Sequence, residues 1–355
     1  MASGLDLKDR ELLNIIQSSF PLVEEPFLQM AESLGLEESD VIRRIERMKA
    51  MNVVRQISAI FDTRRLGYKT MLIAMKFAPE DLDAAAQVIN QHPGVSHNYA
   101  GNGHYNLWFT LAVAPDDSLE DTVARMADET GADGYPLMPT IRFFKIGVNF
   151  DMVKQKGSSV NYSPDGYSGS ERTGWNEAVP ITEDDKAAIR ELQEDLALVP
   201  RPFDDMAQRL GKTNDELFAT VQDFQDRRFM RRFSAVLHHR RSGFSANAMI
   251  VWKVPEERSE EVGMTMAQNS AVTHCYERPT FPDWPYTHFT MVHATSTEGC
   301  EEIEREISEA TGITERLLLY SSREYKKTRV RYFVPEYDQY QDTVKSAPAP
   351  LAQRG

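Results

Sequence analysis

The chain has 355 residues, and its 54 acidic against 40 basic side chains give a formal net charge of −14, so its global field does not attract a phosphate backbone. Two cysteines, Cys275 and Cys300, are too few for a disulfide framework, and no apolar run approaches the roughly 20 residues that span a bilayer. With no signal-peptide pattern at its start, the sequence predicts a cytoplasmic protein of two or more domains, with no membrane partner.

The first elements along the chain form a helix-turn-helix pattern. Leu12 and Leu13 lie on one face of an opening helix. After Pro26 come a short helix, a turn and a second helix, for which Ser39 is a candidate cap. The alternating stretch RQISAIFDTRRLGYK that follows is typical of a wing hairpin. Together these features predict a winged helix-turn-helix domain over residues 1–67.

The pattern then changes to alternating strands and helices. In chain order we predict a strand (70–77), a helix (79–92), two strands, a helix (118–130) and a strand (141–150). The order βαββαβ is that of a ferredoxin-like domain, which we place at 68–150. The fold class is therefore α+β.

The second half of the chain repeats the first. The letters RRLGY (64–68) return as RRSGF (240–244), an offset of 176 residues that several other pairs share. Further on, His97 and Tyr99 match His274 and Tyr276, and Phe109-Thr110 matches Phe289-Thr290 at an offset of 180. The repeat predicts a tandem duplication with a linker (151–180), a second winged helix-turn-helix (181–244), a second ferredoxin-like domain (245–335) and a loose tail (336–355).

A winged helix followed by a ferredoxin-like domain resembles the Lrp/AsnC family of transcription factors. That resemblance implies DNA as the partner and an amino acid as the effector. However, the amino-terminal end of a recognition helix must approach base edges and phosphates. Here that end carries Glu37, Glu38 and Asp40, and the second copy carries Asp215 and Glu216. We therefore expect no nucleic-acid partner.

Two stretches carry a more specific resemblance. GVSHNYAGNGHYNLWFTL (94–111) and AVTHCYERPTFPDWPYTHFTM (271–291) share histidine, one residue, tyrosine and a later Phe-Thr pair. Both resemble the signature of the siroheme decarboxylases, an enzymatic branch of the Lrp/AsnC superfamily in which two homologous subunits pair and are fused in some members. The resemblance implies a carboxy-lyase that removes CO₂ from the C12 and C18 acetates of siroheme. Its product is 12,18-didecarboxysiroheme, a precursor of heme or of d1-type heme.

This substrate suggests roles for individual residues. Siroheme is a flat, iron-bearing ring with eight carboxylates, so its pocket needs an apolar slot and cationic anchors. The conjugated ring takes up the electrons left by decarboxylation, so we expect no further cofactor, and the protein must supply a proton and hold the carboxylate. The candidates are His97 and His274 as general acids, Tyr99 and Tyr276 as positioning or proton-relay groups, Arg278 as a carboxylate anchor with Arg142, Lys145, Lys326 and Arg329 as further cations, Tyr105, Asn106 and Trp284 as substrate contacts, and His104 and His288 as iron ligands.

The two copies differ at this motif. Family members tend to read His-Asn-Tyr-x-Arg-x-His-x-Tyr-Asn, whereas this chain has Gly101 in place of the arginine and Gly103 in place of the second histidine, with His104 displaced by one. We therefore predict that the site around His274 and Arg278 carries most of the activity, and that the two halves pair as a pseudo-heterodimer. A transcriptional regulator and a non-catalytic tetrapyrrole sensor stay open as alternatives.

Overall fold

The computed structural model describes residues 4–18, 20–146, 150–151, 156–157, 177–237 and 246–346. Most of the predicted linker and the loop between the two strands after the second helix-turn-helix lie outside these ranges. None of the helices in the described part of the chain combines the length and apolar character that crossing a membrane requires.

Each half of the chain begins with three helices and continues into a mixed α+β region. The first half contains helices α1 (Leu7–Ser18), α2 (Pro26–Leu34), α3 (Glu38–Ala50), α4 (Leu82–Asn90) and α5 (Leu119–Thr130), with strands β1 (Val54–Phe61), β2 (Lys69–Met75), β3 (Val95–Gly101), β4 (Leu107–Val113), β5 (Leu137–Met138) and β6 (Arg142–Ile146). Two short strands, β7 (Phe150–Asp151) and β8 (Lys156–Gly157), pair with each other.

The second half has the same order of elements. It contains helices α6 (Glu183–Leu192), α7 (Asp204–Arg209), α8 (Asn214–Asp226), α9 (Ser259–Gln268), α10 (Thr297–Thr311) and α11 (Pro335–Ser346), with strands β9 (Met230–Leu237), β10 (Ala246–Trp252), β11 (Val272–Glu277), β12 (His288–Ala294) and β13 (Arg316–Lys327). The predicted duplication of a helix-turn-helix and an α+β region is confirmed.

The cations of α3 form ion pairs within the first helix-turn-helix. Arg44 lies 2.8 Å from the buried carboxylate of Asp9 and 2.9 Å from that of Asp40, and Arg47 also contacts Asp9. These arginines sit beside carboxylates of their own domain, and the first turn of α3 is acidic. A phosphate approaching this helix would therefore meet carboxylates as well as arginines.

The strand β1 differs from the predicted wing. It pairs antiparallel with β9 of the other copy, rather than folding back on the strand that follows it. Ser58 lies opposite Ser234, its counterpart in the repeat, so an approximate two-fold axis passes between them. Phe20 and Phe233 pack 5.5 Å apart beside this ribbon, in a core that both helix-turn-helix regions share. The pairing of β1 with β9, its counterpart in the repeat, satisfies one backbone edge of each strand and lies beside this shared core.

The two α+β regions form one sheet of nine strands. Its order is β5-β2-β4-β3-β13-β10-β12-β11-β6, and each half contributes the ferredoxin-like order of its own strands. The last strand of each half crosses into the other half. Arg316–Tyr320 of β13 pairs with β10, and Ser321–Lys327 pairs with β3. Likewise β5 pairs with β2 of its own half, and β6 pairs with β11 of the other. The halves are therefore joined at the centre of the sheet, through β3 and β13, and at one edge, through β11 and β6.

The strand register corrects the repeat at the Phe-Thr pair. His97 lies opposite Thr110, whereas His274 lies opposite Met291. Thr110 therefore corresponds to Met291 and not to Thr290. Because successive side chains of a strand point to opposite faces, the shared letters Phe-Thr face opposite ways in the two halves.

The predicted loose tail begins with a helix. In α11 the Tyr337 hydroxyl accepts a hydrogen bond from the backbone N–H of Ala114 at 2.9 Å. The Tyr340 ring lies 4.8 Å from the ring of His92, edge to face. These aromatic contacts dock α11 on the first half. Residues 347–355 lie outside the described part of the chain.

Candidate active site

A cavity of about 720 Å³ lies between the β1–β9 ribbon and the nine-stranded sheet. Both halves of the chain line it, and both predicted general acids, His97 and His274, are among its lining residues. The sequence suggested two separate sites of unequal quality. The structure instead brings the two copies of the motif together around one cavity.

The lining of this cavity is strongly cationic. Among the described residues it contains seven cationic side chains and no carboxylate: Arg55, Arg64, Arg231, Arg232, Arg278, Lys327 and Arg329. Arg231 forms an ion pair with nearby Asp62 at 2.6 Å, and Arg329 donates to the Ser58 hydroxyl at 3.0 Å. In a chain whose net charge is −14, this concentration of positive charge favours a ligand with several anionic groups.

Strand β3 places His97 and Tyr99 on the cavity side, because residues two apart share a face of a strand. The Ser96 hydroxyl lies 3.0 Å from His97 Nδ1, and the His97 and Tyr99 ring centroids are 6.3 Å apart. Burial, together with Lys327 and Arg55, lowers the pKa of His97 to about 4. The imidazole is therefore neutral at pH 7.

Strand β11 repeats this arrangement in the second half. The Thr273 hydroxyl lies 3.0 Å from His274 Nδ1, and the His274 and Tyr276 ring centroids are 6.1 Å apart. Burial is the main cause that lowers the pKa of His274 to about 3, and His293 and His97 add to it. The two histidines thus have equivalent neighbours and lie within electrostatic reach of each other.

Arg278 distinguishes the second half from the first. Its guanidinium lies 5.1 Å from the Tyr276 ring centroid and 5.5 Å from that of Phe289, and it donates to the Met138 carbonyl. Burial lowers its pKa to about 10, and Nε has no hydrogen-bond partner among the described residues. A buried cation with a donor to spare suits a carboxylate. The first half has Gly101 at the corresponding position.

Three of the predicted cations lie outside the cavity. Lys145 donates to the Asn269 carbonyl at 2.8 Å, and Lys326 makes the equivalent bond to the His92 carbonyl at 3.1 Å. Arg142 lies 3.5 Å from two carboxylates of the second half. Each side chain is thus engaged within the protein. This corrects their prediction as carboxylate anchors in this cavity.

Both predicted iron ligands also lie elsewhere. His104 Nε2 is 3.2 Å from the Asp283 carboxylate at a half-exposed position. His288 is buried, and its Nε2 is 2.9 Å from the Ser259 carbonyl. Neither histidine lines the cavity, so neither reaches the iron of a ligand bound there.

The remaining predicted contacts stabilise the fold beside the cavity. Asn106 exchanges two hydrogen bonds with the backbone of Phe77. Tyr105 and Trp284 are buried with ring centroids 5.7 Å apart, in a core cluster that joins the two halves. Tyr105 and Trp284 therefore pack in the core instead of lining the cavity, which corrects their prediction as substrate contacts. Of the predicted site residues, the cavity contains His97, Tyr99, His274, Tyr276, Arg278 and Arg329.

Sequence reasoning missed His293 and most of the cations. His293 reaches the cavity from β12, and burial with nearby Lys327 lowers its pKa to about 4. A search for shared letters passes over it, because it has no counterpart in the first half. Arg64 lies in the segment predicted as a wing, and Arg231 lies in the second predicted winged helix-turn-helix. The sequence signal that could have indicated these cations is the clustering of basic residues, since Arg231 and Arg232 are consecutive in a strand.

Comparison with known proteins places this geometry in a family. The model of the siroheme decarboxylase NirDL-like HTH domain matches residues 9–55 and 185–231, and that of the AsnC-like ligand binding domain matches 65–145 and 241–326. The siroheme decarboxylase of Hydrogenobacter thermophilus is 39% identical over 331 residues, which cover 93% of this chain and 96% of that protein. The chain belongs to the siroheme decarboxylase family. It is therefore an enzyme of the carboxy-lyase class.

Solved structures of siroheme decarboxylases have the same fold over their whole length. The crystal structure of the siroheme decarboxylase NirDL has a TM-score of 0.74 at 35% identity, covering 96% of this chain and 98% of that one. NirDL in co-complex with an iron-uroporphyrin III analogue has a TM-score of 0.73 at 34% identity, covering 96% and 99%. That relative therefore binds an iron tetrapyrrole analogue.

Proposed function

We propose that this siroheme decarboxylase family member binds siroheme in the cavity between the ribbon and the sheet, and removes CO₂ from its C12 and C18 acetates to give 12,18-didecarboxysiroheme. The observation that carries the proposal is the lining, with seven cations and no carboxylate among the described residues. The eight carboxylates of siroheme would meet those cations in charge-assisted hydrogen bonds. The iron-uroporphyrin III analogue bound by a relative is also a flat polycarboxylate.

The apolar part of the lining suits the flat ring. Trp108, Phe289, Met249, Met291 and Leu319 contribute large apolar side chains to the cavity. Such surfaces contact a macrocycle closely and exclude water from its periphery. Removing water from a reacting carboxylate disfavours the charged form, whereas the CO₂ that leaves is neutral. Desolvation therefore assists the bond cleavage.

The reaction needs one proton for each acetate. The bond between the side-chain methylene and the carboxyl carbon breaks, CO₂ leaves, and the electron pair remains on the methylene carbon and spreads into the conjugated ring. An imidazolium N–H then protonates that carbon to a methyl group, and the imidazole becomes neutral. His97 and His274 are the proposed donors, with Tyr99 and Tyr276 as their positioning or relay groups. The macrocycle itself is the electron sink, so the proposal includes no separate cofactor.

The neutral state of the two imidazoles is compatible with this role. Burial and neighbouring cations lower the pKa values of His97 and His274. Substrate carboxylates close to an imidazole favour its charged form and offset those cations. The substrate thus promotes the protonation of the donors. Arg278 and Arg329, which line the same cavity, are the proposed anchors that hold the carboxylates.

Anaerobic incubation of the purified chain with siroheme, followed by mass spectrometry, tests the proposal. The expected product has lost two CO₂ units for each siroheme. Siroheme that binds with a shifted Soret band but is recovered unchanged would contradict the proposal and favour a sensor. The His104→Ala variant is a matched control, because this histidine lies outside the cavity, and we expect it to retain the activity.

A further inference from the structure

Three histidines are among the described lining residues of the cavity, but the repeat relates only two of them. His97 and His274 occupy the same place in the two halves. The strand register places Ala112 where His293 stands in the second half. The third imidazole is therefore present once in a cavity that is otherwise built from two copies.

His293 lies among the groups that surround the two proposed donors. His293 is an electrostatic neighbour of His274. It is also an electrostatic neighbour of Lys327, which lies opposite His97 in the strand register. Burial and Lys327 keep His293 neutral at pH 7. One nitrogen of a neutral imidazole carries a lone pair, and the neutral form is therefore the one that binds a metal.

We propose that His293 is the axial ligand of the siroheme iron. One siroheme presents two acetates to be decarboxylated but only one iron. The reaction therefore calls for two equivalent proton donors and one metal ligand, which matches two related histidines and one unrelated histidine. This inference rests on the proposed function, because it places an iron tetrapyrrole in the cavity.

The alternative ligands are less suitable. His104 and His288 lie outside the cavity, where Asp283 and the Ser259 carbonyl are their partners. If His97 or His274 bound the iron, one acetate would lose its proton donor. Ligation by His293 leaves both donors available. It also fixes the centre of the ring, so that the acetates stand at a constant distance from those donors.

Spectroscopy of a bound probe tests this assignment without turnover. The probe is iron(III) uroporphyrin III, added to the full chain and followed by absorption and electron paramagnetic resonance. After reduction of the probe to iron(II), resonance Raman measures the iron–histidine stretch. We expect the wild-type chain to give a histidine-ligated iron. His293→Gly should lose this signature and regain it with added imidazole, whereas His97→Ala and His274→Ala should keep it. Retention of the probe on a sizing column shows that the variants still bind.

The outcomes separate the inference from the proposed function. His293→Gln has a side chain of similar size and gives the same test if the glycine variant does not fold. An iron–histidine signal that persists in the His293 variants, that is absent from the wild-type chain, or that disappears in His97→Ala or His274→Ala would overturn the assignment. Loss of CO₂ from siroheme is measured separately with wild-type protein. An iron–histidine signal without CO₂ release would overturn the proposed function and leave the ligand assignment standing.

Discussion

Replacing His274 should slow the first decarboxylation more than replacing His97. The two histidines have equivalent neighbours, a hydroxyl at Nδ1 and a tyrosine ring two residues further on. The two motifs differ in the residue proposed to hold a substrate carboxylate. Arg278 follows the second motif, whereas Gly101 occupies the corresponding position after the first. In His274→Ala the first proton can come only from His97, on the side that lacks this arginine. In His97→Ala the better-anchored side remains.

The size of the difference follows from the arginine. A hydrogen bond to a charged group contributes about 1.5–3 kcal/mol, and each 1.4 kcal/mol is about a factor of ten in rate. His274→Ala should therefore lower the initial rate of CO₂ loss about 10- to 150-fold more than His97→Ala does. A variant that lacks both histidines loses general acid catalysis altogether, which contributes about 10²–10⁴-fold.

The assay is an anaerobic time course with siroheme in excess, quenched and analysed by mass spectrometry for loss of one and of two CO₂ units. His104→Ala is the control for a histidine change outside the cavity. Absorbance titration of each variant separates weaker binding from slower chemistry. Equal initial rates in the two variants, or a larger loss in His97→Ala, would refute the reasoning.

Three further outcomes are expected. Arg278→Met should weaken siroheme binding about 10-fold or more in an absorbance titration, whereas Lys326→Met should lower the thermal midpoint without changing that affinity. Burial lowers the pKa of His92 to about 3. Between about pH 6.5 and pH 3 the unfolded chain therefore binds a proton that the folded chain does not, so the free energy of unfolding falls by about 1.4 kcal/mol for each pH unit by which the pH is lowered. His92→Asn should remove this contribution to the pH dependence in urea titrations. Because Arg44 pairs with Asp9, duplex DNA should show no binding in mobility shifts at low salt, and a complex that dissociates steeply with added salt would contradict this expectation.

The sequence was sufficient for the features that repeat. The duplication indicated two copies of one α+β unit, and the shared His-x-Tyr letters indicated His97 and His274, which line one cavity. A match between the halves did not by itself reveal what a residue does, because a duplication copies structural residues as well as functional ones. Lys145 and Lys326 match across the halves since each makes the same bond to a backbone carbonyl.

Features that depend on contacts between the halves could not be predicted. Nothing local distinguishes a strand that folds back as a wing from β1, which pairs with β9. The register shift that aligns Thr110 with Met291 is set by pairing within the sheet and not by the letters. His293 was missed for the opposite reason, since a residue present once leaves no trace in a comparison of two copies.

The exchange of last strands between the halves has a consequence for how such a site can change. In a pair of identical subunits every substitution appears twice, so both ends of a shared cavity change together. Here one chain has Gly101 at one end and Arg278 at the other, and Ala112 where the second copy has His293. Because the two halves belong to one molecule, their association is intramolecular and dilution does not separate them. A fused chain can thus fit a ring whose two reactive edges are not alike.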